Sequence, residues 1–257
     1  MYKWKMKLVL LFTILGTVGI IALIPYSMTT LKTSELIPEG ISLSFVMTVN
    51  TIAQVIQLFV MVLIGVRLQD RAGLGAPIFE GLMYEKKVPK ISIKWMLIGI
   101  GVSLIGSLAV ILLDVYVFSP NIEMPGGQDT ETIWWQGLLA SFYGGITEEL
   151  MIRLFVMTLI VSIIAVIFKI DRNSIPKGIY VFAIVLTALL FGIGHLPATA
   201  QVFGELTSII VARALVLNGL LGLWFGYLYW KRGLEYAMVA HFSADIFLHV
   251  IFASVFG

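Results

Sequence analysis

The chain has 257 residues, of which 59% are apolar and 12% are charged, and its formal net charge is +2. A soluble domain normally carries about 25% charged residues, so this composition excludes an ordinary soluble fold. Cysteine is absent, which excludes disulfides, thiolate nucleophiles and zinc–thiolate sites, and without a basic tail we expect no nucleic-acid partner.

Apolar runs long enough to cross a bilayer recur along the chain. A hydrocarbon core of about 30 Å requires about 20 consecutive apolar residues in a helix. The sequence therefore predicts an all-α, polytopic transmembrane bundle of seven spans, forming a single integral membrane domain over residues 1–257. The predicted spans are Leu8–Pro25, Leu43–Val66, Trp95–Phe118, Ile146–Phe168, Ile179–Gly194, Leu206–Trp230 and Leu234–Val255. The first run is interpreted as a retained span rather than a signal peptide, because it is long and the chain stays apolar afterwards.

The stretch Trp134–Tyr143 is less apolar than the spans, and Gly144 and Gly145 after it offer a natural break. We expect this stretch either to lie at the membrane interface, with its two tryptophans as an anchor, or to continue into the fourth span. An eighth span here would break the alternation of basic and non-basic loops along the chain.

Most basic residues lie in alternate loops, before the first span and after the second, fourth and sixth. They are Lys3, Lys5, Lys7, Arg67, Arg71, Lys86, Lys87, Lys90, Lys94, Lys169, Arg172, Lys177, Lys231 and Arg232. The opposite loops contain Lys32 as their only basic residue, together with the acidic residues Glu123, Asp129 and Glu131. The positive-inside rule therefore predicts a cytoplasmic N-terminus and an external C-terminus.

Ionisable side chains inside the spans are the candidates for function, because each costs about 2.5–3.5 kcal/mol or more at mid-membrane. Asp114 lies near a span end, where it can reach the headgroups. Arg213 is expected to snorkel or to pair with an acid such as Glu205. Neither needs a function, and His249 is interpreted as structural.

The fourth span carries Glu148, Glu149 and Arg153. Adjacent side chains on an α-helix point about 100° apart, so the two acids are not expected to share one environment. Glu149 and Arg153 are four residues apart with the acid first, which favours an ion pair. Glu148 then has no local partner, which makes it a candidate general acid or base. The alternative is that both acids face water at the outer rim.

Two later spans carry histidines. His195 closes the predicted fifth span just before Pro197, which gives its imidazole a defined position; the alternative is a histidine at headgroup level. His241 and Asp245 share one face of the seventh span, where they need polar partners in the bundle. The alternative for this pair is a structural hydrogen bond between helices. A carboxylate with two histidines is suited to activating a water and stabilising an oxyanion.

Three motifs stand in order within about residues 134–250: Glu148-Glu149-x-x-x-Arg153, Phe191-x-x-x-His195 and His241-x-x-x-Asp245. They resemble the motifs of the CAAX protease and bacteriocin-processing family, the glutamate-dependent intramembrane proteases also called Abi proteins. The resemblance implies an intramembrane endopeptidase in which Glu148 and His195 activate the attacking water. It also implies that Glu149 and Arg153 brace the site, and that His241 and the residue at position 245 hold the oxyanion.

Two features complicate this assignment. Asparagine also occurs at the last position of the family pattern and donates a hydrogen bond at any pH, whereas Asp245 donates only when protonated. Asp245 is therefore alternatively expected to orient His241 or the water, or to be kept neutral by burial. Depth is the second difficulty: at 1.5 Å per residue, His195 lies near the external end of its span, whereas His241 is about 10 Å from the cytoplasmic start of its own. Tilt, shifted boundaries or a cavity must reconcile the two positions.

The resemblance implies no cofactor and no metal, and the sequence lacks HExxH, GxSxG and GxGD motifs. A zinc-dependent membrane protease is the nearest alternative, with Glu148, His195 and His241 as ligands and an open fourth position. A non-catalytic immunity or regulatory membrane protein that keeps the fold is the alternative from another class. Expected partners are membrane lipid and a membrane-associated peptide or protein substrate, and the expected location is a bacterial cell membrane.

Overall fold

The computed structural model describes residues 5–31, 41–84, 88–122 and 133–256. Within these ranges every regular element is a helix, and seven helices are long and apolar enough to cross a membrane. We name them α1 (Met6–Thr29), α2 (Leu43–Ala72), α3 (Ile93–Asn121), α4 (Trp134–Ile167), α5 (Lys177–Phe203), α6 (Ser208–Arg232) and α7 (Leu234–Phe252). The predicted all-α bundle of seven spans is confirmed.

The orientation of the chain in the membrane stays a prediction. Part of the charge pattern that supports it lies outside the described ranges, namely Lys3, Lys32, Lys86, Lys87, Glu123, Asp129 and Glu131.

The span α4 is the longest of the seven, with 34 residues. It is α-helical over Trp134–Phe142, has the wider turn of a π-helix over Tyr143–Met157, and is α-helical again to Ile167. The stretch after Trp134 therefore continues into the fourth span, one of the two predicted alternatives. The predicted break at Gly144 and Gly145 is wrong, because these glycines allow α7 to approach: a Cβ on Gly145 would lie 2.6 Å from the Cβ of Phe242.

The same span lies at the centre of the bundle. Its residues Leu150, Leu154 and Met157 are completely buried. Glycines of the first two spans allow close packing on this face, since a Cβ on Gly65 would lie 2.6 Å from the carbonyl oxygen of Leu154. The outer faces of the bundle instead expose large apolar side chains, as expected for contact with lipid; examples are Ile14, Ile56, Ile105 and Phe182.

The span α5 extends beyond its predicted end. The helix Lys177–Gly194 is followed by a turn at His195, and helical structure resumes over Leu196–Phe203. Pro197 lies in the first turn of this second segment, where its missing N–H costs no hydrogen bond. The prediction that His195 closes its span is therefore wrong, and His195 lies at a turn within it.

The start of α7 lies in the interior of the protein. The short helix Pro77–Met83 packs there, and the carboxylate of Glu235 accepts hydrogen bonds from two backbone N–H groups at its start, at 2.8 and 2.9 Å. The N–H of Leu234 donates to the carbonyl of Gly75 at 3.0 Å. Residues 234–238 are all buried, so this span does not begin at the protein surface.

An ion pair joins α3 to α6. The Nε and Nη2 atoms of Arg213 donate to the two carboxylate oxygens of Asp114, at 2.7 and 2.5 Å. The suggested pairing of Arg213 with Glu205 is wrong, because the neighbouring helix presents Asp114 to Arg213, whereas Glu205 lies in the exposed turn before α6.

Candidate active site

The carboxylate of Glu148 lies between two histidines from different spans. Its Oε1 is 3.9 Å from Nε2 of His195, and its Oε2 is 3.6 Å from Nε2 of His241. These residues come from α4, α5 and α7 respectively. The three residues that the sequence singled out therefore meet at one place in the bundle, although their catalytic roles stay predictions.

Two features of the fold bring the rings of the two histidines together. The imidazole of His195 folds back along its own helix, so that Nδ1 lies 2.8 Å from the carbonyl oxygen of Phe191, one turn earlier. In addition, α5 extends to Phe203, beyond its predicted end at Gly194, so His195 lies within its span rather than at the end of it. The start of α7 at Leu234 is as predicted. A shifted boundary of α5, one of the three predicted explanations, therefore contributes to the meeting of the two rings at one carboxylate.

Glu149 and Arg153 form the buried side of the site. Both side chains are 0% exposed, and Nη1 of Arg153 lies 3.5 Å from Oε1 of Glu149. Arg153 also donates a hydrogen bond through Nη2 to the carbonyl of Gly222 at 3.0 Å, which ties α4 to α6. The predicted ion pair is confirmed, and its burial agrees with a bracing role, because removing either partner would leave an uncompensated charge.

Glu149 has a second partner that the sequence did not predict. Its Oε1 lies 2.8 Å from Nδ1 of His241, within hydrogen-bond distance. The two adjacent acids therefore contact the same ring from opposite sides, Glu148 at Nε2 and Glu149 at Nδ1. The surroundings of the two acids still differ, as expected: Glu148 is 16% exposed and lies between two histidines, whereas Glu149 is completely buried beside Arg153. Both reach His241 because its ring presents a different nitrogen to each acid.

Aromatic rings hold His241 in place. The ring of Phe225 stacks on it with centroids 4.3 Å apart, and the ring of Phe191 meets it edge-on at 5.7 Å. The guanidinium of Arg153 lies over the same two phenylalanine rings, at 5.3 Å from Phe191 and 5.6 Å from Phe225. Phe191 belongs to the second motif, but no pattern in the sequence marked Phe225.

Asp245 lies next to His241 on α7, with Oδ1 3.6 Å from Nε2 of the imidazole. Gly144 of α4 packs against both side chains. An added Cβ at this position would collide with the Asp245 carboxylate and lie 3.2 Å from Nε2 of His241. Sequence reasoning missed Gly144 as a site residue. Two adjacent glycines one turn before an acidic pair are the signal that points to close approach of another helix.

The exposure of the side chains falls across the site. His195 is 32% exposed and Glu148 16%, whereas His241 is 5% exposed. Glu149 and Arg153 are completely buried behind them. The side of the cluster formed by Glu148 and His195 is therefore the one that a small polar molecule can reach. The residue His249, which lies further along α7 than His241, is exposed.

The acceptors around the rings determine which ring nitrogens carry protons. The carbonyl of Phe191 can only accept, so Nδ1 of His195 donates to it. The carboxylate of Glu149 likewise accepts from Nδ1 of His241. In a neutral imidazole the other nitrogen then has a lone pair, and both Nε2 atoms face the oxygens of Glu148.

The described residues contain no group of three or more His, Cys, Asp or Glu side chains arranged to hold a metal ion. The alternative zinc set of Glu148, His195 and His241 stays a prediction, as does the absence of a cofactor.

Comparison with known proteins finds one family. Residues 130–247 match the family model described as type II CAAX prenyl endopeptidase Rce1-like, and this segment contains all three motifs. No curated protein and no solved structure gives a significant match.

Proposed function

From the Rce1-like match over residues 130–247, which is consistent with the CAAX protease and bacteriocin-processing family, we propose that this integral membrane protein is an intramembrane endopeptidase. The family points to a protease, and the reaction proposed is hydrolysis of a peptide bond in a membrane-associated peptide or protein. The observation that carries the proposal is the position of the Glu148 carboxylate between the Nε2 atoms of His195 and His241.

The geometry at Glu148 suits the activation of water. Its Oε1 and the Nε2 atom of His195, whose Nδ1 carries the proton, are acceptors that face one another at 3.9 Å, too far apart for a direct hydrogen bond. Polar groups in an apolar bundle need partners, and water supplies two donors at once. Glu148 takes one proton from that water, and Nε2 of His195, whose ring is anchored by Phe191, accepts a hydrogen bond from the other O–H, which orients the water oxygen towards the substrate carbonyl.

The buried pair of Glu149 and Arg153 supports this arrangement without touching the substrate. It fixes α4 against α6 through Gly222 and fixes His241 through its Nδ1 atom. A catalytic group gains most when its position is set before the substrate arrives.

The test compares new protein termini in membranes from cells that produce wild type, Glu148→Gln, His195→Ala or the control Glu205→Gln. Glutamine keeps the size of the glutamate side chain but takes up no proton from water, and Glu205 is an exposed acid away from the site. We expect a set of cleavage products in wild type and in the control that is absent from the two site variants. Products that persist unchanged in Glu148→Gln would contradict the mechanism and favour a non-catalytic membrane partner.

In a second experiment, purified protein is assayed for cleavage of a peptide identified in this way, in the presence of excess chelator. Retained hydrolysis supports the glutamate scheme. Loss of hydrolysis that added Zn²⁺ restores supports the zinc alternative with Glu148, His195 and His241 as ligands.

A further inference from the structure

Hydrolysis of an amide requires a proton donor as well as a base. The amine leaves with an electron pair on nitrogen and must be protonated as the C–N bond breaks. His195 and Glu148 lie at the more exposed side of the site, where the water is proposed to bind. The buried ring of His241 lies across the Glu148 carboxylate from His195.

The contacts of His241 are those of an imidazole prepared to carry two protons. Nδ1 is 2.8 Å from the buried Glu149 carboxylate, and Nε2 faces carboxylate oxygens of Glu148 and Asp245, both at 3.6 Å. In hydrolases with a catalytic histidine, a carboxylate on one ring nitrogen fixes the ring and stabilises its protonated form. Glu149 is the corresponding carboxylate for His241, because it lies at Nδ1 of the ring.

The charges in the cluster also require protons. Three carboxyl groups, those of Glu148, Glu149 and Asp245, lie within 3.6 Å of His241, whereas the guanidinium of Arg153 lies beside Glu149 alone among them. Uncompensated charge inside a membrane protein is costly, so the cluster keeps protons on its acids or its imidazoles. Other groups packed around His241 are Phe191, Phe225 and, through Glu148, His195. His241 is therefore placed to receive one of these protons.

We propose that His241, positioned by Glu149, is the general acid that protonates the leaving amine. This inference rests on the proposed endopeptidase activity, and it differs from the oxyanion role that the family resemblance implied for His241. Phe225 and Gly144 complete the setting, because one packs flat against the ring and the other leaves room for Nε2.

Water oxygen forms a bond to the carbonyl carbon, its proton passes to Glu148, and the carbonyl π electrons move onto oxygen. When the C–N bond breaks, its electron pair stays on nitrogen, which takes the Nε2 proton of His241. The carbonyl is restored in the carboxylic acid product, and Glu148 returns a proton to His241.

The experiment compares two substrates that differ only in the leaving group. One is a peptide found to be cleaved by wild type, and the other is the thioester of the same acyl residues. A thiolate leaves without being protonated, so its release does not depend on a general acid. Wild type, His241→Ala, Glu149→Gln, Glu148→Gln and Ser243→Ala are assayed for kcat/KM on both. Ser243 is the control, since its hydroxyl donates a hydrogen bond to the Val239 carbonyl of its own helix.

We expect His241→Ala to lower kcat/KM for the amide by about 10²–10⁴-fold, the usual contribution of general acid catalysis. The same variant lowers thioester hydrolysis by less than about 10-fold. Glu149→Gln shows the same selectivity to a smaller degree, and Ser243→Ala leaves the ratio of the two activities unchanged. Thioester turnover also shows that the His241→Ala and Glu149→Gln variants are folded, so a loss of amide hydrolysis alone is not a folding defect.

An equal loss on both substrates in His241→Ala overturns the inference, because an oxyanion donor serves the amide and the thioester alike. The proposed function fails separately: it falls if Glu148→Gln keeps wild-type activity on both substrates. Selective loss in His241→Ala, with loss of both activities in Glu148→Gln, supports the two roles together.

Discussion

Gly144 of α4 and Asp245 of α7 are packed so closely that a single methyl group at position 144 would occupy the space of the Asp245 carboxylate. This contact links the π-helical turn of α4 to the acidic end of the site on α7. The absence of a side chain at one position therefore determines where a carboxylate and the Nε2 atom of His241 can lie.

We expect Gly144→Ala to reduce peptide hydrolysis at least 10-fold while the midpoint of thermal unfolding changes little. The colliding atoms belong to the end of a side chain, which can rotate away, and this rotation removes Asp245 from Nε2 of His241. Activity and thermal unfolding of the purified protein in detergent check the prediction.

Two neighbouring substitutions serve as controls. Gly145→Ala collides with the backbone of Phe242, whose Cα would lie 2.9 Å from the new Cβ, so it should lower the unfolding midpoint. Gly178→Ala meets no atom within 4 Å and should leave both properties close to wild type. A fully active Gly144→Ala protein would show that the position of Asp245 does not matter for hydrolysis.

Arg153→Met is expected to destabilise the protein strongly. It leaves the Glu149 carboxylate completely buried without its cation, which costs about 3–5 kcal/mol in comparable pairs. The double variant Glu149→Gln, Arg153→Met removes both charges and should regain a large part of that loss. Denaturant unfolding in detergent measures the cycle, and strictly additive losses would show that the two charges are not coupled.

Lys5 joins the start of α1 to Asp70 at 2.6 Å and to Glu80 at 2.8 Å. Burial lowers the pKa of Lys5, but hydrogen bonds to the two carboxylates and their charges outweigh burial, so its pKa stands above the usual value. A cation with a raised pKa stabilises the fold fully below its unfolded pKa, about 10.4 for lysine, and this stabilisation is lost as the pH rises through the folded pKa.

We therefore expect Lys5→Gln to lower the free energy of unfolding by about 1.5–3 kcal/mol at pH 7, the range for hydrogen bonds to charged groups. The difference from wild type should shrink once the pH exceeds the folded pKa of Lys5. Thermal unfolding of both proteins at neutral and at strongly alkaline pH measures this difference in stability. The control is Lys7→Gln, because Lys7 is exposed. A difference of the same size at both values would mean that the charge of Lys5 is not responsible.

The spans and the identity of most site residues are predictable from sequence because they depend on local properties. The length and apolar character of a run predict a span without knowledge of its neighbours. Glu148, His195 and His241 stand out because each is costly inside such a run. The spacing of Glu149 and Arg153 gives their ion pair directly, since partners four residues apart meet on one helix.

The pairing between spans is not predictable in the same way. The contact of Glu149 with His241 joins residues 92 positions apart and depends on the axial position of α7 relative to α4. That position depends on the buried start of α7 at Gly75, which has no local sequence signal, and on the close approach allowed by Gly145. The glycine pair indicates that some helix approaches there but not which one. Helical geometry predicts that the two acids point apart, but it does not predict that one imidazole from α7 lies between them and contacts both.

The ion pair between Asp114 and Arg213 offers a test of packing away from the site. Both side chains are about one quarter exposed, so removing one charge should cost about 1–3 kcal/mol, between the values for exposed and buried pairs. We expect Arg213→Ala to lower the unfolding midpoint accordingly. Arg213→Lys should recover only part of the loss, because an ammonium group does not reproduce the paired bonds of a guanidinium to both oxygens. The double variant Asp114→Arg, Arg213→Asp exchanges the two charges and should recover more than half of the stability lost in Arg213→Ala. If the exchanged protein is no more stable than Arg213→Ala, the ion pair does not hold α3 against α6.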